Sequence, residues 1–308
     1  MERKKFKIIS LISQYRKNKE LFILFLPVLM FYIVFSYIPM GGIVIAFKDF
    51  KLMQGIWGSP WVGFDNFAEL FSASSFYDIL GNTVWISLLR LAVGFPAPII
   101  LALLMNEVKH NGYKKVVQTI SYLPHFLSWV ILAGVFQQLL SPSTGAVNAL
   151  LSKIGIPPIY FLGDPNWFIF TIIATGVWQG VGWGTVIYLA AIAGIDPQLY
   201  EAAMLDGAGR WKQIRYITLP CLIPTITIIL ILNTGGILNA GFDQIMNMYN
   251  EAVYSVGDII DTYVYRRGLE GMQYSYSTAV NLFKNVIGLG FVLLTNSIAK
   301  KMGDNSLW

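Results

Sequence analysis

The chain predicts an all-α membrane protein with six transmembrane helices, and three observations carry that prediction. Hydrophobic residues fill 55% of its 308 positions and charged residues only 13%. Soluble domains carry about 25% charged residues, so roughly half the usual solvated surface is missing and lipid must cover much of the rest. Apolar stretches long enough to cross the hydrocarbon core, about 20 residues, recur along the chain. Basic residues gather in every second loop between them.

The spans fall at 21–46, 79–105, 117–140, 167–194, 217–240 and 277–299. The first follows Lys17, Lys19 and Glu20 and meets no charge until Lys48. A signal peptide is the alternative there. Its apolar region is too long for one, and no A-x-A-like cleavage site follows. The second span holds Arg90 and the sixth holds Lys284, the two buried-looking charges. Neither Asp nor Glu occurs inside any span, so both cations lack an evident intramembrane partner. Flanking the single membrane domain, 21–301, are a basic tail (1–20) and a short tail (302–308).

Basic residues orient the bundle. The N-terminal tail carries Arg3, Lys4, Lys5, Lys7, Arg16, Lys17 and Lys19, and the loop after span two carries Lys109, Lys114 and Lys115. Arg210, Lys212 and Arg215 follow span four, and Lys300 and Lys301 follow span six. Those fifteen face only five in the alternate loops: Lys48, Lys51, Lys153, Arg266 and Arg267. Both termini and the 195–216 loop are therefore expected in the cytoplasm. The net charge of +5 reads as topology signalling, with no nucleic acid as partner.

Outside, 55–67 mixes Trp57, Trp61, Phe64 and Phe67 with Gly and Pro, as expected at the headgroup level. Val256, Ile259, Ile260, Tyr263 and Val264 repeat at helical spacing, with Asp258, Thr262 and Arg266 on another face. That pattern predicts a short amphipathic helix lying on the outer surface, as a cap or a docking surface. Cys221 is the only cysteine, and His110 and His125 are too few and too far apart for a typical zinc site. Neither HExxH nor GxxxxGK[ST] occurs, so ATP, if used, must be bound by another subunit.

The loop between spans four and five carries the functional signal. Asp196-Pro197 sets a helix start, good helix formers run to Asp206, and Gly207-Ala208-Gly209 breaks the helix. A second helix from Arg210 leads into span five. Small Ala202 and Ala203 allow another surface to approach closely, and Glu201 offers it a carboxylate for a charge-assisted contact. An ordinary amphipathic connector is the bland alternative.

The spacing argues against that alternative. Residues 201–220 read EAAMLDGAGRWKQIRYITLP. This resembles the EAA loop of ATP-binding-cassette (ABC) importer permeases: EAA, three residues, Gly, nine residues, Ile-x-Leu-Pro. Every fixed position matches. The stretches SPWVGFDNF (59–67), GFPAPIILALLMNE (94–107), YLPHFLSWVI (122–131) and FDQIMNMYNEAVYSVGDIIDTYVYRRGL (242–269) are similar to the carbohydrate branch, in the family's order.

The resemblance implies a type I importer permease with the MetI-like fold. Its expected partners are a second homologous permease, two ABC ATPase subunits and an extracytoplasmic solute-binding protein. No cofactor is expected in this chain, because ATP and Mg belong to the ATPases. Carried over by position, the ATPase contact falls on Glu201, Ala202, Ala203 and Gly207, with Asp206 and Arg210 on the same segment. ATPase closure would drag this loop, rock spans three to six and expose the solute site outward, a two-state alternating access.

A carbohydrate needs hydrogen-bonding groups beside flat apolar surfaces. Span four offers Trp178, Gln179, Trp183 and Tyr188 among glycines 176, 180, 182 and 184; span five offers Asn233 and Asn239 near Gly235 and Gly236. Span six contributes Tyr276, Asn281 and Lys284, and span two Arg90. Glycines also serve close helix packing in lipid, and aromatic residues also serve as core or interface belt. Either cation suits a carboxylated sugar, and either suits a backbone carbonyl or a helix end. A peptide, amino-acid or anion importer is the alternative cargo reading. A membrane enzyme or autonomous channel would need catalytic acids, a metal cluster or a selectivity filter, and none is found.

Overall fold

The computed structural model describes residues 18–303, and their regular structure is helical, with one isolated bridge between Lys48 and Trp61. Of the basic residues in the N-terminal tail only Lys19 falls among the described residues, and positions 304–308 lie outside them. In chain order the main elements begin with α1 (Lys19–Phe47), the short α2 (Asp65–Ser72), α3 (Ser74–Glu107) and the pair α4 (Asn111–Phe126) and α5 (Trp129–Leu139). They continue with α6 (Ala146–Lys153), α7 (Pro165–Ala193), α8 (Pro197–Leu205), α9 (Arg210–Gly235), α10 (Phe242–Met248), α11 (Ile260–Val264) and α12 (Tyr274–Lys301). Helices α1, α3, α7, α9 and α12 are each long and apolar enough to cross a bilayer, and α4 with α5 make a sixth when taken as one span.

The third span, expected over 117–140, is a bent pair: α4 and α5 meet at 105°. Pro124 has no N–H to continue the helical ladder. Leu127 and Ser128 are extended, with ψ of 134° and 151°, and Ser128 caps α5 by accepting from the Ile131 N–H at 3.5 Å. Span five also differs from its expected limits. It begins at Arg210 and ends at Gly235, short of position 240.

Close approach organises the bundle. Helix α7 packs against α3 and α4. Gly182 meets the Ser121 backbone and Gly184 meets Pro98, and a Cβ at either would overlap its neighbour. Those glycines serve helix packing. Three apolar clusters fill the interior. One joins Ile86, Ala133, Phe168, Ile172, Ile245 and Ile259; a second joins Leu70, Phe76, Ile79, Ile260, Tyr263, Tyr276 and Val280. The third, Ala102, Tyr188, Ile192 and Leu222, lies at the end nearest α8. By contrast, the apolar side chains of α1 between Leu21 and Met40 are mostly exposed, which lipid tolerates and water does not.

The amphipathic helix expected to lie on the outer surface is buried on both faces. Ile259, Ile260 and Thr262 are fully covered, and Asp258 nearly so. The polar face is satisfied internally and needs no water. Thr262 Oγ1 donates to Asp258 Oδ1 at 2.6 Å, and Arg266 pairs with the Asp258 carboxylate at 2.5 Å. Burial alone would pull the Arg266 guanidinium down, but its bonds to Asp258 outweigh that and hold it above its ordinary range. Burial likewise pushes the Tyr249 hydroxyl up, against the opposing effect of Arg266. Both groups thus keep their usual protonation near neutral pH. In the 55–67 loop, Trp57, Trp61 and Phe64 are exposed.

Candidate functional site

Two places in the molecule bear on function. The first is the turn between α7 and α9. Asp196 caps α8 by accepting from the Gln198 N–H at 3.0 Å, and Pro197 occupies the first helical position. At the other end Gly207 takes φ +75°. Its N–H donates to Met204 O at 3.1 Å, and the Ala208 N–H donates to Ala203 O at 2.8 Å. Together these form a Schellman ending that closes the helix in a left-handed residue.

The resulting knuckle is anchored at its base and bare at its tip. Tyr200 Oη and Thr218 Oγ1 lie 2.9 Å apart, tying α8 to the foot of α9. Gln213 Nε2 donates to Ala208 O at 2.9 Å, and Arg210 pairs with Glu107 of α3 at 3.3 Å. Arg210, expected on the docking segment, is thus half engaged with its own chain. Glu201, Ala202 and Asp206 are exposed, and Ala203 is half-buried. Glu201 makes no ion pair among the described residues. Met204 and Leu205 follow it at i+3 and i+4, on the same side of the helix, and Leu205 is 90% exposed.

Gly207→Val is expected to strain this turn by about 1–2 kcal/mol, since a β-branched residue disfavours the left-handed region. Nothing crowds the position, so the effect is conformational. Uptake per ATP hydrolysed in the reconstituted transporter should fall while membrane insertion persists. A wild-type ratio would show that the turn does not need glycine.

The second place is the break after α9. Residues 237–239 form one tight turn, then Ala240 (φ 45°) and Gly241 (φ 79°) swing the chain into α10. Two cations hold this break, Lys284 buried and Arg90 half-buried. Lys284 of α12 donates to Asn239 Oδ1 at 3.1 Å and pairs with Asp261 of α11 at 2.5 Å. The expectation that Lys284 lacks a carboxylate is therefore wrong: Asp261 sits outside the spans in sequence and beside the lysine in space. Arg90, within a widened turn of α3 at Arg90–Gly94, bonds the Gln244 side-chain oxygen. Gln244 is itself fixed, donating to Thr175 Oγ1 at 2.7 Å and Ile172 O at 2.8 Å. A Cβ on Gly241 would make the Arg90 guanidinium shift, and the φ of 79° favours glycine there whatever the space.

A cavity opens on each side of the break. The larger, about 400 Å³, is lined by Phe242, Asp261, Tyr265, Tyr274, Thr278 and Asn281 among others. The other, about 270 Å³, is lined by Ser87, Arg90, Phe95, Asn233, Gly236 and Gly241. Of the residues expected to touch solute, Arg90 and Asn233 thus share one cavity and Asn281 lines the other. Asn239 and Lys284 line neither. Tyr188 and Tyr276 are buried in apolar clusters, with Tyr276 Oη 3.0 Å from Tyr263 Oη. Trp178 packs edge-on to Phe136, and Trp183 stacks on His125 at 5.0 Å. Trp178, Trp183 and the half-buried Gln179 line neither of these two cavities.

Comparison with known proteins places the geometry in a family. The family described as binding-protein-dependent transport system inner membrane component matches residues 94–242. LplB of Bacillus subtilis (strain 168) is 44% identical over 300 residues, covering 97% of this chain and 94% of that one. The chain belongs to this family. A second relative of the permease is the polygalacturonan/rhamnogalacturonan transport system permease protein YteP of the same organism, 45% identical over 100% of this chain and 94% of that one. Among solved structures, a bacterial ABC transporter involved in import of the acidic polysaccharide alginate superposes with TM-score 0.89 at 43% identity. The match covers 96% of the permease and 100% of that chain.

Sequence reasoning missed four parts of the permease site: Ser87, Thr175, Gln244 and Asp261. Thr175, Gln244 and Asp261 find their partners on distant elements, and the Ser87 hydroxyl is buried with none. The available signal was the Ala240-Gly241 break, which forces the next helix back against α3 and α7.

Proposed function

We propose that this permease is one membrane subunit of an ATP-driven importer of a carbohydrate, an oligosaccharide or polysaccharide fragment, moved by alternating access. The observation that carries the reading is the knuckle at 196–220. It is stiff, capped at both ends, tied to the feet of α3 and α9, and bare at Glu201 and Leu205. A load applied there is transmitted directly to two spans. Glu201, Ala202, Ala203, Asp206 and Gly207 form the ATPase contact, with Arg210 bracing it from below.

In this reading a second homologous permease completes the pathway, and two ABC ATPase subunits bind ATP and Mg. No cofactor resides in this chain, and hydrolysis is not its task. An extracytoplasmic binding protein delivers the solute. One solved relative, with TM-score 0.88 and 42% identity, is in complex with an alginate pentasaccharide-bound periplasmic protein, which supports that partner. The basic-residue bias supports placing the knuckle and both termini at the cytoplasmic face of the inner membrane, around a single membrane domain, 21–301. The cavities beside α9 and α12 pair apolar surface with side chains such as Asn233 and Asn281 that can bond a sugar's hydroxyls. We place solute contact at Asn233, Asn239, Asn281, Arg90 and Lys284, with Trp178, Gln179, Trp183, Tyr188 and Tyr276 secondary.

The test is ATPase activity of the reconstituted complex against a panel of oligosaccharides. Stimulation by at least one of them is expected. Stimulation by amino acids, peptides or inorganic anions alone would replace the carbohydrate with a non-sugar solute and keep the rest.

A further inference from the structure

The two cations at the break are not equivalent. Lys284 is balanced by the Asp261 carboxylate. Among the described residues no carboxylate pairs with Arg90. Its fixed partner, the Gln244 amide, orients the guanidinium without neutralising it, and Arg90 Nε is buried with no hydrogen-bond partner. Arg90 stands near the midpoint of the 34-residue α3, about 24 Å from either end at 1.5 Å per residue. That is too far for the side chain to reach headgroups or water by snorkelling.

A second orphan stands beside it. Ser87, one turn earlier and on the same face of α3, also has a buried hydroxyl with no partner. Only three buried side-chain polar atoms lack a partner among the described residues, and two of them belong to residues lining one cavity of about 270 Å³. Its remaining walls bring Asn233 and the ring of Phe95, and the exposure of Asn233 and Gly236 leaves it open at the side. A buried cation without a counter-charge is costly unless something anionic completes it. The free donors, Nε–H of Arg90 and O–H of Ser87, match the acceptor-only chemistry of a carboxylate. Asn233 can bond a ring hydroxyl, and Phe95 offers an apolar face. A neutral saccharide would leave the charge unanswered.

We propose that Ser87 and Arg90 form a subsite that reads a carboxylate on the passing solute, so that this permease carries acidic saccharides built from uronic acid units. The inference rests on the importer reading above and specifies its substrate class.

The experiment uses the complete reconstituted importer, with binding protein and ATPases, and compares oligogalacturonate and oligoalginate with neutral galacto-oligosaccharides of equal length. Wild type is expected to hydrolyse ATP and take up an acidic probe in preference to the neutral one. Arg90→Gln should lower acidic uptake at least tenfold. Ser87→Ala, the milder change, should lower it severalfold, and Arg90→Lys should fall between. Unchanged acidic uptake in Arg90→Gln, or in both Ser87→Ala and Arg90→Lys if Arg90→Gln does not assemble, overturns the subsite. Loss of the second permease from purified Arg90→Gln also overturns it, by assigning the guanidinium to a subunit contact. A wild-type response to neutral sugars alone overturns the acidic class while leaving the importer intact. No response to any solute by a complex that holds its ATPases would instead sink the importer reading.

Discussion

Glu201→Lys lowers the affinity of the membrane complex for its ATPase subunits by about 10- to 100-fold and leaves the bundle folded. The first half of that expectation comes from the exposed tip of α8. Glu201 makes no ion pair within its own chain, and it sits beside Met204 and Leu205, which are bare of cover. An exposed carboxylate flanked by exposed apolar side chains is the composition of a docking face. A hydrogen bond to a charged group contributes about 1.5–3 kcal/mol, and each 1.4 kcal/mol is about tenfold in affinity. In the proposed contact, reversing the charge removes that bond and turns attraction for a facing basic residue into repulsion. The second half follows because the side chain braces nothing: α8 is held by Asp196, Gly207 and the Tyr200–Thr218 contact. Co-purification of the ATPases on the tagged permease measures the first effect, and thermal unfolding of the permease measures the second. Normal ATPase recovery with Glu201→Lys would remove the docking role from the knuckle.

The knuckle was legible in sequence because its determinants are local. The capping Asp196-Pro197 pair, the EAA triplet and Gly207 fall within a dozen residues, and each has a conformational reason to be where it is. The membrane spans were legible because composition alone reports them. Hydropathy, however, measures length without direction, so it does not report the α4–α5 corner at Leu127–Ser128. The partner of Lys284 was invisible for a related reason. Asp261 lies 23 positions away, in the interval between two apolar windows, and was counted as outside. Only the burial of α11 between α3 and α12 carries it to the lysine. Arg90 and Gln244 are separated by 154 positions, and no spacing rule reaches that far.

The same Lys284–Asp261 pair yields the largest expected effect on stability. Lys284 and Asp261 side chains are 9% and 16% exposed, so water screens them little. Breaking a buried ion pair by removing one partner costs about 3–5 kcal/mol, because the other charge is left uncompensated. Lys284→Met and Asp261→Leu should each destabilise the permease by that amount. The double variant Lys284→Met, Asp261→Leu should recover most of the loss, since two apolar groups strand no charge. Thermal unfolding of the purified complex for both singles and the double gives the coupling directly. Additive losses would mean that the two charges act independently. The expected result also bears on transport, because Lys284 holds Asn239 at the break. Freed of that contact in the double variant, the α9–α10 junction keeps its packing and loses one of its two cationic clamps. Stability should return while uptake stays low. That separation would show that the clamp serves the moving part of the pathway, and a full return of uptake would show that it serves folding alone.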